Sequence, residues 1–247
     1  DGTVAPLGAP LAQSQAANMA EGKFIWREGR LVPWGDATVH LLTHALHYGS
    51  GVFEGIRAYR TEAGTAFFRL TDHMRRLHRS AAACHIPLEW SVEQLNAAAR
   101  EVLAANELDS GYIRPITFYE TGGLGVLPRN VRVVTMIAVW QWGAYLGDEG
   151  VQHGIRTKVS PWRRFGPAVL PQAKATGGYL NSMLAKIDAV RSGARRQPRH
   201  YLQRPRIGSF RKRVHILGRV GPPQVEVGPC LVRRLGDRVL VRLPERV

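Results

Sequence analysis

Cysteine is scarce in this chain: two among 247 residues, Cys84 and Cys230, with no Cys-x-x-Cys pair. Neither a disulfide framework nor a zinc site is indicated, and a reducing cytoplasm is the expected setting. Long apolar runs are missing as well, since none reaches the roughly 18 residues of a membrane span. No basic flank precedes Lys23, so no signal peptide is expected and the chain reads as soluble, with Met19 a candidate start. His44 and His47 lack a third ligand at useful spacing and are read as structural, so no metal is expected. Gly122 to Gly125 lack the spacing of a phosphate loop and are read as a turn.

Acidic residues run short in one region only. The formal net charge is +15, yet residues 1–193 carry 20 Lys and Arg against 16 Asp and Glu, whereas residues 194–247 carry 14 against 3. The basicity therefore belongs to an Arg- and Pro-rich ending. It shows no aromatic interleaving of the kind that binds single strands, so non-specific, salt-sensitive polyanion binding is the most it supports and nucleic acid is not the expected partner. A frame change in GC-rich coding DNA would yield such a composition.

What is present is a chain that is 45% hydrophobic, enough for one large core or two small ones. Residues 1–22 have no periodicity and read as a disordered lead. Residues 23–141 read as a small α/β domain. Phe24 to Trp26 and Leu31 to Trp34 flank Glu28-Gly29 as a hairpin, and Thr65 to Leu70 reads as a further strand. A helix is predicted from Asp72 to Cys84 with Thr71 as its N-cap, and a second one follows Ser91, whose spacing to Gln94 is that of a capping box, with Trp90 and Leu95 at staple positions. Tyr112 to Tyr119 and Val131 to Gln141 read as adjacent strands. Residues 142–152 read as an interdomain linker. Residues 153–193 open a second domain with a strand near Ile155 to Ser160, the loop around Lys174, and a helix from Tyr179 to Arg191 whose apolar face is Leu180, Met183, Leu184, Ile187 and Val190. Residues 194–247 form the basic tail.

Lys174 lies among Ala173, Ala175, Gly177 and Gly178, small residues that allow a flat ligand to approach and partly desolvate the amine. Desolvation disfavours the ammonium and frees the nucleophile that Schiff-base chemistry needs. By itself, the local sequence favours an ordinary loop lysine ahead of a helix.

The stretch Pro171 to Ser182, together with His44 to Arg57, Tyr112 to Pro115 and Trp142 to Gly147, resembles the branched-chain amino acid aminotransferases, pyridoxal-phosphate enzymes of fold type IV. The likeness runs in order from about Phe24 to about Gly193. It implies an α/β (α+β) fold of a small and a larger domain, a homodimer, pyridoxal 5′-phosphate as cofactor, and transfer of the amino group of Leu, Ile or Val to 2-oxoglutarate. By the same resemblance Lys174 is joined to the cofactor and then moves the proton as acid and base. Arg76 pairs with the cofactor phosphate, and Tyr179 bonds its phenolic oxygen. Tyr112 and Arg114 serve the substrate end, where alternation along a strand puts both on one face. Phe53, Trp142 and Tyr145 wall the pocket, and Tyr48 and Val126 reach into the neighbouring subunit's site.

The family's carboxylate against the pyridine nitrogen sits in a Ser-Glu-Gly-Xaa-Gly-Glu-Asn segment. Here the corresponding stretch reads Ile-Gly-Ser-Phe-Arg-Lys-Arg-Val, residues 207–214. The alternative reading is therefore an impaired or dead remnant of this family with a basic, polyanion-binding tail.

Overall fold

The computed structural model describes residues 21–142, 157–166, 172–191, 200–203, 231–235 and 238–242. The chain divides into two compact units. One comprises Met19–Trp142 with Phe165–Leu180, and the other takes in Asp1–Asn18, Gly143–Arg164 and Asn181–Val247.

The first unit is built on a seven-stranded antiparallel sheet. Its strands are β1 (Phe24–Arg27), β2 (Arg30–Pro33), β3 (Gly51–Phe53), β4 (Ile56–Thr61), β5 (Gly64–Phe67), β6 (Gly111–Tyr119) and β7 (Val133–Trp140). They lie in the order β2-β1-β7-β6-β4-β5, with β3 also paired to β6. The β1–β2 hairpin turns at Glu28 and Gly29, both at positive φ (47° and 85°), as a two-residue turn matched to the strand twist requires. A short helix, α1 (His44–Tyr48), precedes β3, and two longer ones, α2 (Leu70–Ala83) and α3 (Val92–Ala105), cover one face of the sheet. Mixed α and β elements on an antiparallel sheet agree with the expected fold class.

Period-two alternation divides the sheet. Val52, Ile56, Ile113, Ile137 and Val139 face the helices and pack with Met74, Leu77, Leu95 and Val102 in the main core. On the opposite face Phe118, Val134 and Met136 form a separate small cluster. Asn106, which follows α3, stitches that helix to β1: its Oδ1 accepts from the Lys23 and Phe24 amides at 2.6 and 3.1 Å, and its Nδ2 donates to the Phe24 and Val102 carbonyls at 2.9 and 2.6 Å.

Ser91 and Gln94 form the expected capping box, each side chain bonded to the other's backbone N–H. The start of α2 differs from expectation. The strand ends at Phe67, and the helix begins at Leu70 with Arg69 as its N-cap in the left-handed region (φ 51°). Thr71 lies inside the helix, and its hydroxyl accepts from Asn96 Nδ2 at 3.0 Å, tying α2 to α3. Arg69 instead bridges to Asp72 at 2.7 Å, placing acid near the positive end of the helix dipole.

In the second unit, β8 (Thr157–Ser160) pairs in parallel with β9 (His200–Gln203) and antiparallel with β11 (Arg238–Arg242), which forms a hairpin with β10 (Leu231–Leu235). That hairpin falls within the basic tail. Helix α4 spans Tyr179–Arg191, the bounds expected for it, with Tyr179 and Leu180 belonging to the first unit. Its buried row is not the bulky one. Leu180 and Met183 are 58% and 51% exposed, while Asn181, Ala185 and Ala189 are buried. Small side chains four residues apart allow close approach, and the Asn181 amide satisfies the Arg163 carbonyl at 2.9 Å. Among the described residues, no helix is long and apolar enough to cross a membrane.

Candidate active site

β3 and β4 run along the same edge of β6 and are interrupted at Glu54-Gly55. The interruption faces Pro115, whose carbonyl accepts the Glu54 amide at 2.9 Å and which has no N–H to offer a continuous partner strand. A Cβ on Gly55 would collide with the Tyr112 hydroxyl, so glycine lets the two strands and this phenol come together.

The other edge of β3 carries the Lys174 segment. Phe53 N–H donates to the Lys174 carbonyl at 3.1 Å, Thr176 N–H donates to the Gly51 carbonyl at 2.8 Å, and Val52 bridges Ala175 in antiparallel fashion. Ala175 thus joins Val52 in the core, and alternation turns Lys174 to the Phe53 side. Three further contacts hold the segment. Thr176 Oγ1 donates to the Gly49 carbonyl at 2.7 Å, the Lys174 amide donates to Ser80 Oγ at 3.1 Å, and Gly177 packs against Gly49 with no room for a Cβ between them.

The Lys174 ammonium donates to the Tyr179 hydroxyl at 2.5 Å and lies 4.7 Å from the centroid of the Phe53 ring. The Arg114 guanidinium stands 4.8 Å from the same ring and donates from Nη2 to the Tyr112 hydroxyl at 3.0 Å. Tyr112 stacks edge-on with Trp142 at 4.6 Å, and Arg57 donates from Nη1 to the Trp142 carbonyl at 2.6 Å. Arg114 Nε and Trp140 Nε1 are buried and have no hydrogen-bond partner among the described residues. The Arg114 guanidinium lies 5.7 Å from the centroid of the Trp140 ring.

On α2, Arg76 sends Nε and Nη2 to the two oxygens of Glu54 at 2.5 and 2.7 Å, and His73 Nδ1 lies 2.9 Å from the same carboxylate. Burial pushes the Glu54 carboxyl up, but the hydrogen bonds and charges of Arg76 and His73 together outweigh it and hold the group below its ordinary 4.5. The Arg76 guanidinium is correspondingly driven up by its bond to Glu54, against burial, with a smaller contribution from Tyr179, close enough to interact electrostatically.

Residues 51–196 match the family described as amino-transferase class IV. The chain belongs to the class IV aminotransferases. Among curated members of this family, it is 46% identical over 171 residues to a branched-chain-amino-acid aminotransferase of Pseudomonas aeruginosa, covering 69% of this chain and 56% of the relative. It is 45% identical over 172 residues to that of Escherichia coli, with the same coverage. The chain thus spans little more than half the length of these relatives. Among solved class IV structures, the Escherichia coli branched-chain enzyme superposes with a TM-score of 0.70 at 43% identity, over 74% of this chain and 60% of the other. The branched-chain enzyme of Thermobaculum terrenum, solved in its PLP-form, gives 0.63 at 29% identity, over 74% and 59%.

In this class IV chain Lys174, Tyr179, Phe53, Arg114, Tyr112 and Trp142 form one connected set, and Arg76 joins it through Tyr179. Tyr145 lies outside the described residues, as do residues 207–214. Tyr48 and Val126 lie in a different cluster. The Tyr48 hydroxyl donates to the Leu124 carbonyl at 2.6 Å, and His44 Nε2 lies 3.0 Å from the Gly125 carbonyl, joining α1 to the loop that follows β6. Leu41, whose carbonyl lies 3.0 Å from His47 Nε2, and Val126, next to Gly125 in the chain, are 75% and 82% exposed.

Motif reading missed several members of the site: Glu54, His73, Ser80 and Trp140. One signal for Glu54 stood in the sequence, a carboxylate in the apolar run Gly-Val-Phe-Glu-Gly-Ile. A charge at a core position needs a partner, and Arg76 with His73 three residues before it on the same helix face supplies two.

Proposed function

We propose that this chain is a pyridoxal-phosphate-dependent aminotransferase that moves the amino group of Leu, Ile or Val to 2-oxoglutarate. The observation that carries the reading is the Lys174 amine, bonded to the Tyr179 hydroxyl and set over the Phe53 ring in a loop tied to both β3 and α2. A primary amine, a phenol and a half-exposed guanidinium fit an aldehyde, a ring hydroxyl and a phosphate respectively. The cofactor, when bound, supplies the electron sink for bond cleavage at the substrate α-carbon.

Lys174 moves the proton at that carbon, its amine oriented by Tyr179. Arg76 receives the phosphate. Arg114 and Tyr112 receive the side-chain carboxylate of glutamate, with the unpartnered Arg114 Nε and Trp140 Nε1 as additional donors. Phe53, Trp142 and Tyr145 wall the site against water and accept the branched side chains. The exposed apolar cluster around Leu41, Tyr48 and Val126 supports a homodimer in which Tyr48 and Val126 approach the neighbouring site. Residues 23–141 serve as the small domain, residues 142–152 as the linker and residues 153–193 as the start of the larger domain. The setting is the cytoplasm.

The reading is tested by adding pyridoxal phosphate to purified protein and following the visible and near-ultraviolet band of lysine-bound cofactor, first in the parent and then in Lys174→Ala. The parent shows the band, and the variant does not. L-Leucine added in a single turnover converts it to the absorbance of the amine form. No band in the parent would remove the assignment and leave the inactive remnant.

A further inference from the structure

Glu54 is 0% exposed at the break between β3 and β4, and burying a carboxylate costs several kcal/mol unless the interior compensates it. A pair of well-packed apolar side chains would generally stabilise such a position as well as an ion pair does. Arg76 has no need of the pair for solvation either, since its side chain is 49% exposed on α2. The geometry of the pair accounts for more than its energy does. Nε and Nη2 form a fork on Glu54, and Nη2 lies 3.4 Å from His73 Nδ1. Nη1 has no partner among the described residues.

We infer that Glu54 is a positioning residue: it fixes the Arg76 guanidinium by one edge so that the opposite edge, carrying Nη1, is presented to the phosphate of the cofactor. This rests on the function proposed above. An unbraced arginine loses rotamer freedom on binding any anion, and the fork onto a buried, immobile carboxylate removes most of that cost beforehand. His73 braces Glu54 in turn through Oε2. Ser80, four residues beyond Arg76 on α2, holds the Lys174 amide. The helix therefore carries the phosphate end and the amine end of the site on one face, at a fixed separation. The arrangement also has an electrostatic cost, because the Glu54 charge opposes an incoming anion. Orientation and repulsion predict opposite effects of removing that charge.

The test compares pyridoxal phosphate with pyridoxal, which has the aldehyde and no phosphate, by titrating the lysine-bound band. In Glu54→Gln, pyridoxal phosphate weakens on the order of tenfold, the equivalent of about one charge-assisted hydrogen bond, while pyridoxal stays within about twofold of the parent. In an Arg76→Met background the same substitution produces no further loss. Equal weakening of both ligands would assign Glu54 a purely structural role, and unchanged or tighter pyridoxal phosphate binding would overturn the inference. Should Glu54→Gln fail to fold, Glu54→Asp retains the charge but withdraws the fork, and the same selective loss is expected. A parent without the band defeats the functional reading alone. Calorimetry with inorganic phosphate then decides the positioning claim: loss of binding in the variant supports it, and equal binding overturns it.

Discussion

Arg76→Met separates what the Glu54 pair does for folding from what it does for ligands. Removing one partner of a buried ion pair costs about 3–5 kcal/mol, because the remaining charge is left without compensation. The lower end, about 3 kcal/mol, applies here, since the guanidinium is half exposed and His73 keeps its contact with the carboxylate. The pH dependence identifies the cause. In the parent, the Glu54 carboxyl is held below 4.5 in the folded state, so its stabilisation is complete above 4.5 and is lost as pH falls through the folded value. Without Arg76, two of the four influences that lower the carboxyl are lost, and its folded value moves up. The variant therefore keeps less of this stabilisation above 4.5 and has less of it to lose in acid. The gap between parent and variant is therefore widest near neutrality and closes towards acid. Urea unfolding of cofactor-free protein, followed by tryptophan fluorescence between about pH 3 and pH 7, measures it. A gap that does not change with pH, or one under about 1 kcal/mol as for a surface pair, would refute the account.

Three further outcomes are expected. Asn106→Ala leaves the Lys23 and Phe24 amides without their acceptor and destabilises the first unit by about 2–3 kcal/mol in the same urea assay; a loss below about 1 kcal/mol would mean that water replaces the amide. Gly49→Ala places a Cβ 2.6 Å from the Gly177 Cα at φ 62°, which forces the Lys174 segment away from β3 and lowers the yield of lysine-bound cofactor; full yield would show that the glycine contact is dispensable. Leu41→Lys combined with Val126→Lys places charge in the exposed apolar cluster and yields monomer in sedimentation velocity where the parent sediments as a dimer; an unchanged dimer would locate the interface elsewhere.

Elements whose ends are set by local chemistry were legible in the sequence. The Glu28-Gly29 turn needs positive φ twice, and Ser91 with Gln94 closes its own capping box, so β1, β2 and α3 fall where expected. The start of α2 was not legible, because an arginine in the left-handed region is an uncommon cap held by tertiary context, and Thr71 bonds Asn96 instead of capping. The stripe of α4 was misread for a related reason: weighting bulky apolar residues overlooks a row of alanines that lets a helix pack closely. At the site, alternation alone puts Tyr112 and Arg114 together, and their hydrogen bond agrees with it. Motif likeness singled out Lys174, but the seating of its segment on β3 depends on Gly49, Gly51 and Phe53, more than 120 residues away. Such long-range pairing leaves no trace in a local window.

Along β6, odd-numbered positions such as Ile113 and Thr117 are buried while Tyr112, Arg114 and Ile116 on the even side remain partly open. One strand therefore answers to two separate selective demands. Exchanges at even positions alter the open face while the odd ones go on anchoring the helices, so under the function proposed above selectivity would drift through evolution with little loss of folding, and a library randomised by parity would explore it.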